Sequence, residues 1–260
     1  MHEIYRHASY LVVWLGKEDR YVEKAISALS KLSTNMDNFM KSRIVSWDSE
    51  ETSQVEYLSS GVPWICQDEW DGLAALFLRQ WFRRIWIVQE IVLSGGVFMY
   101  CGERPIEWTQ VKQTAEAFVL ETVRVPRLGR YSEYYDAFTQ RYRPAKNYGY
   151  PEIHSIRFLK ENFALMKLYT QQNRHEKYME ISTYFSSYNL MIRLSGFCAT
   201  NPRDLCYALL PLRTVSYHKS TLVPNYTSLV EQVYMDFTKE MMATEEKPLQ
   251  VLSLGLARFD

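Results

Sequence analysis

Tyr10-Leu-Val-Val-Trp-Leu15 is an unbroken apolar run closed by Gly16, the pattern of a strand buried on both faces. Ahead of it, Ile4 and Ala8 stand at helical spacing, so residues 1–8 read as the end of a helix. Behind it, Tyr21, Ala25, Ala28, Leu29 and Leu32 predict a helix from Asp19, its cap, to about Leu32. Helix, buried strand and glycine form a fragment of an α/β repeat. Residues 33–66 are polar and mixed and read as a loop or insertion. Leu73, Leu76, Phe77 and Gln80 then line one side of a helix that begins near Asp68. A second helix is predicted from about Trp81 to Leu93, stopped by Ser94-Gly95-Gly96. Val97–Cys101 reads as a strand ended by Gly102, and Ile106-Glu107-Trp108 opens a helix that continues through Val111, Ala115, Phe118 and Val119.

From about Arg124 to Tyr150 the chain is rich in Tyr, Arg and Pro with little periodicity, which predicts a loop or short irregular elements. Helices are expected again over Ile153–Thr170 and Tyr178–Leu194. Asn201-Pro202-Arg203-Asp204 is a helix-start signal, with Asn201 capping, Pro202 at the first helical position and the helix running over Leu205–Leu212. Asp204 suits the positive end of that helix, and Arg203 is placed to fix the following loop, so the block reads as a structural clamp. Thr227–Met242 is the clearest helix of the last third, with Leu229, Val230, Val233, Tyr234 and Phe237 on one face.

Composition narrows the classes. Thirty basic and thirty acidic residues give a net charge of zero, which argues against a nucleic-acid binder working through bulk charge. No apolar run is long enough to span a bilayer, and the amino terminus carries charges where a signal peptide needs its apolar core. A cytoplasmic protein is expected. Cys66, Cys101, Cys198 and Cys206 show no zinc-ligand spacing, so no metal is expected; Cys198 and Cys206 flank a turn and read either as a disulfide or, more in keeping with context, as free thiols. The five histidines are isolated, no phosphate-binding glycine loop occurs, and no cofactor is expected.

Several blocks resemble one family. Ile4-Tyr5, Ala8 and Val12-Val13-Trp14-Leu15-Gly16 are similar to the "IYxxAxxVxVWLG" of the fungal heterokaryon-incompatibility (HET) domain. Arg79-Gln80-Trp81-Phe82-Arg83-Arg84-Ile85-Trp86-Ile87-Val88-Gln89-Glu90 resembles its "RPWFxRxWVxQE", and Tyr100-Cys101-Gly102, Ile106 and Trp108 resemble "CGxxxIxW". Ala199-Thr200-Asn201-Pro202-Arg203-Asp204 with Tyr207-Ala208-Leu209-Leu210 resembles "ATDPRDxxYALLGL", and Val223-Pro224-Asn225-Tyr226 with Val233-Tyr234 resembles "PDYxxxxxxVY". Trp14, Gly16, Trp81, Arg203 and Asp204 are thus motif positions with a structural role. The family's opening strands, reading like "ALSYVWG" and "LWIDAICINQ", have no counterpart here, so the resemblance implies an amino-terminally truncated copy. The implied fold is α/β: an incomplete TIR-like parallel sheet with covering helices over residues 1–108, the carboxy-terminal part of a HET domain, then a mainly helical extension over 109–260.

HET domains are considered distant relatives of TIR domains, some of which cleave NAD with a helix-borne glutamate, and the resemblance puts that role on Glu90. On a continuous helix Arg83, Trp86 and Glu90 share one side, with Trp86 offering a stacking face and Arg83 a phosphate or carboxylate partner. Against this, Trp81, Ile85, Val88 and Val92 form an apolar face of the same helix, and Glu90 reads equally as solvated or paired with Arg83 or Arg84. Activity is not expected of a chain lacking two strands, because positioning supplies much of the rate. The expected function is self/non-self recognition linked to programmed cell death, through protein partners or self-association, with NAD as the substrate if there is one. The alternatives are a non-catalytic interaction module or inert remnant, and an enzyme of another class using the Tyr/Arg stretch from Tyr131 to Tyr150.

Overall fold

A computed structural model describes residues 2–35, 63–119, 133–136, 141–144, 150–213 and 222–244. Most of the insertion expected over 33–66 and much of the Tyr/Arg stretch lie outside these residues. Along the chain come α1 (His2–His7), β1 (Tyr10–Trp14), α2 (Val22–Thr34), α3 (Gln67–Phe77), α4 (Ile87–Leu93), β2 (Gly96–Cys101), β3 (Arg104–Ile106) and α5 (Trp108–Val119). There follow β4 (Glu133–Asp136), β5 (Arg141–Pro144), α6 (Tyr150–Gln171), α7 (His175–Ser182), α8 (Ser187–Arg193), α9 (Asp204–Tyr207) and α10 (Val230–Thr244). The chain is a mixed α/β protein, mostly helical.

It divides into two compact units, one of residues 1–8, 84–94 and 155–260, the other of residues 9–83 and 95–154. Both draw on segments from before and after residue 108.

In the second unit β1 pairs in parallel with β2, Val12 opposite Phe98, and β2 pairs antiparallel with β3. The parallel pair matches the expected α/β repeat, but the strand is not buried on both faces. Val13 is 1% exposed, whereas Tyr10, Val12 and Trp14 are 63, 68 and 61% exposed. Side chains alternate along a strand, and Phe98 and Tyr100 of β2 continue the same open face. An apolar run therefore overstated burial here. Ile106, expected to open a helix, instead pairs with Met99 in β3, and the helix starts at Trp108.

Gly16 ends β1 at φ +109°, a conformation that a side chain would strain. Arg79 binds the chain on either side of it, donating from Nη1 to the carbonyls of Leu15 (3.0 Å) and Lys17 (3.3 Å) and from Nη2 to Asp19 (2.8 Å). The start of the RQWFRR segment is thereby fastened to the end of β1. Asp19 shapes the turn before α2, accepting from the Tyr21 N–H at 3.0 Å, and the helix proper begins at Val22.

Helices α2 and α3 pack closely because Gly72 has no side chain: a Cβ there would lie 2.6 Å from the backbone nitrogen of Ala25. Glu69, at the third position of α3, accepts from Ser27 Oγ (2.7 Å), from Lys31 Nζ and from the Cys66 N–H (2.9 Å). Burial pushes its carboxyl up, but these bonds outweigh it and hold the group below the usual carboxylate range.

In the first unit the helix expected over Tyr178–Leu194 is two helices joined by a 3-10 turn at Thr183–Phe185. Ser186 causes the break, since its Oγ caps α8 by accepting from the Asn189 N–H at 3.3 Å. The Leu205–Leu212 helix is likewise short, α9 giving way to a 3-10 turn at Leu210–Leu212 that contains Pro211. β4 and β5 form an antiparallel pair, Tyr135 opposite Tyr142, where irregular chain was expected. All four cysteines are free thiols. Among the described residues no helix is long and apolar enough to cross a membrane.

Candidate functional site

The single helix expected from Trp81 to Leu93 does not form. Gln80–Arg83 is a 3-10 turn, Arg84 makes a parallel bridge with Cys198, and only Ile87–Leu93 is α-helical. The Ile85 N–H donates to the Cys198 carbonyl at 2.9 Å, a tertiary bond that draws the backbone out of helical geometry. Arg83, Trp86 and Glu90 therefore do not share a helical stripe. Arg83 closes the 3-10 turn in the second unit, 7% exposed, where its charge acts on Glu152.

Trp86 and Glu90 lie in the first unit with the NPRD block. The Trp86 indole N–H donates to Asp204 Oδ2 at 2.9 Å, and the Tyr226 hydroxyl donates to Asp204 Oδ1 at 2.7 Å. Desolvation first, and then the hydrogen bond to Asp204 and its charge, push the Tyr226 phenol up to about 12. Arg203 points the other way, donating from Nε (2.8 Å) and Nη2 (2.6 Å) to the Ser228 carbonyl. Asn201 Oδ1 accepts from the Arg203 N–H at 3.1 Å and shapes the turn ahead of the helix, which starts at Asp204. Tyr207 completes the joint: its hydroxyl donates to the Asn225 carbonyl at 2.9 Å and accepts from the Asn225 N–H at 3.1 Å. Three blocks far apart in sequence, those around Trp86, Asp204 and Tyr226, meet on one carboxylate.

Next to this joint, Gln89 donates to the Ala208 carbonyl at 2.9 Å. Lys160 donates to the carbonyls of Ile91 (2.7 Å) and Ser94 (2.8 Å), satisfying the carboxy-terminal end of α4. Glu90 is half-buried and faces α1: burial, then the Glu90 charge, raise the Tyr5 hydroxyl, while Arg84 pulls it down. Glu90 and Arg84 thus act on the Tyr5 hydroxyl with opposite charges. The indole N–H of Trp86, whose ring was expected to offer a stacking face, is bonded to Asp204 within the first unit.

Of the other motif positions, Trp14 is exposed on the open sheet face, Gly16 turns the chain after β1, and Trp81 stacks edge-on against Phe82 with ring centres 5.2 Å apart. Sequence reading did not foresee Tyr226, Ser228, Lys160 or Tyr5 as partners. The only signal available for Tyr226 was its place in a block following NPRD. Among the described residues no group of three or more His, Cys, Asp or Glu is placed to hold a metal ion.

No curated protein and no solved structure matches the chain. One family model, described as Heterokaryon incompatibility protein (HET), matches residues 1–90, the segment that runs from α1 through β1, α2 and α3 to Glu90. The first ninety residues of the chain are thus similar to a heterokaryon incompatibility (HET) segment.

Proposed function

We propose that the protein is a heterokaryon-incompatibility recognition component whose output is cell death, and that it acts by association with protein partners or with itself rather than by cleaving NAD. The observation that carries this reading is the Asp204 carboxylate, which accepts from both Trp86 and Tyr226. It makes Trp86, Asp204 and Tyr226 a joint that holds segments of the first unit together. Electrostatic catalysis needs donors and charges aimed at the reacting atoms. Here the Trp86 N–H is engaged by Asp204, and Arg83 belongs to a 3-10 turn outside the helix that carries Glu90. Glu90 retains Tyr5 and Arg84 as neighbours, which suits a group that secures α1 against α4.

Inducible expression in a filamentous fungus tests the proposal. Cell death is expected with the natural chain and equally with Glu90→Ala, and is expected to fall away with Asp204→Ala, which breaks the joint. Death abolished by Glu90→Ala at unchanged protein level would contradict it.

A further inference from the structure

The turn that leads from α6 into α7 walls an open cavity of about 430 Å³ in the first unit. Its backbone is closed by the Gln172 N–H, which donates to the Leu168 carbonyl at 3.0 Å, and by the Arg174 N–H, which donates to the Tyr169 carbonyl at 2.9 Å. Between them Asn173 stands at φ +54°, a left-handed conformation that asparagine tolerates. The Tyr178 N–H then bonds the Arg174 carbonyl at 3.0 Å and continues the chain into α7. This backbone decides which side chains meet: Tyr169 from α6, Arg174 from the turn, and His175 and Tyr178 from α7 all line the cavity.

The lining is cationic and aromatic. Arg174 and His175 are exposed, and neither side chain makes a hydrogen bond or ion pair among the described residues. A second full cation stands beside them, with Lys177 Nζ 5.8 Å from the centre of the Tyr169 ring. The acids of α7 are turned away. A helix advances about 100° per residue, so His175 and Tyr178 share the side that lines the cavity, whereas Glu176 and Glu180 share another. Among the described residues no acid lines the cavity.

A guanidinium with unused donors in an exposed position grips an oxyanion in a two-pronged fashion. Phenol rings offer a flat apolar surface to a second ring. Arg174 and Lys177 together match a dianion, and Tyr169 and Tyr178 match an aromatic body. We infer that this cavity binds a small aryl phosphate, with its phosphate on Arg174 and its ring against Tyr169 and Tyr178. The site is separate from the Asp204 joint and does not depend on how the protein signals.

Isothermal titration calorimetry of the full chain with phenyl phosphate, inorganic phosphate and phenol tests it. Saturable phenyl phosphate binding is expected, with phosphate and phenol each weaker by about tenfold or more, since one supplies only the charge and the other only the ring. Arg174→Gln, at an exposed position, is expected to weaken phenyl phosphate about tenfold while leaving the circular dichroism spectrum unchanged. A short phosphotyrosine peptide is expected to bind no more tightly than phenyl phosphate, because the site takes the ring and its phosphate alone. Absence of saturable phenyl phosphate binding, inorganic phosphate or phenol binding as tightly, an Arg174→Gln variant of unchanged affinity, or a peptide bound tenfold more tightly would each overturn the assignment.

Discussion

Trp86 and Asp204, 118 residues apart in sequence, are joined by an indole N–H to carboxylate hydrogen bond of 2.9 Å. The bond places the WIVQE and NPRD blocks in one joint, and Tyr226 completes it from the other oxygen of the same carboxylate. Asp204→Ala strands both donors and is expected to cost about 1–3 kcal/mol of unfolding free energy, read by urea denaturation. Tyr226→Phe removes one donor and is expected to cost about 1 kcal/mol. In a double-mutant cycle, the two changes should sum to less than their separate effects.

The Tyr226 phenol also predicts an alkaline response. Its folded value, pushed up to about 12, stands above the ordinary value of roughly 10. The folded state therefore holds the proton more tightly. The associated stability is fully present below about pH 10 and is lost as pH rises through about 12. Tyr226→Phe should flatten that part of the stability curve; an unchanged alkaline slope would show that Tyr226 is not its source.

Glu152 predicts a second window. Burial raises its carboxyl to about 7, and the Arg83 charge only partly opposes this. The folded pKa exceeds the unfolded one, so the neutral acid is the stable buried form. Stability is fully present below the usual carboxylate pKa of about 4.3 and falls as pH rises to about 7, by roughly 3 kcal/mol. Glu152→Gln mimics the neutral acid and is expected to raise the melting temperature at pH 8 while changing little at pH 4.

Gly72→Ala tests the α2–α3 contact. The added methyl would meet the Ala25 backbone at 2.6 Å, where no flexible side chain can yield. The helices must separate, at an expected cost of about 1–3 kcal/mol by thermal or urea unfolding. A neutral or stabilising result would mean that the two helices are not so closely apposed.

How much of this was legible in sequence depended on the range of the interaction. β1, β2, α2, α3 and α10 follow from local apolar periodicity, and their places were readable within a few residues. The broken helix at Arg84 was not, because its cause is a backbone bond to Cys198, more than a hundred residues away. The open face of β1 was missed for a related reason: an apolar run reports which residues avoid water on average, not which neighbours arrive to cover them. Arg203 and Asp204 were recognisable as a clamp from their place at a helix start. What each clamps, the Ser228 carbonyl and the Trp86 and Tyr226 donors, is a long-range fact.

The open face carries its own consequence. Tyr10, Val12 and Trp14 on an edge strand form an exposed apolar row with Phe98. Val12→Lys is expected to shift the protein from aggregate toward a single species in size-exclusion chromatography, at little cost in melting temperature. A natural chain that already elutes as one sharp peak at high concentration would contradict this.

The most direct test of the account is a side-by-side measurement of NAD cleavage by the natural chain and by Glu90→Ala. Equal, background-level turnover in both is predicted, because Arg83 does not share the helix of Glu90 and the Trp86 indole is tied to Asp204. Measurable hydrolysis by the natural chain that disappears in Glu90→Ala would contradict it.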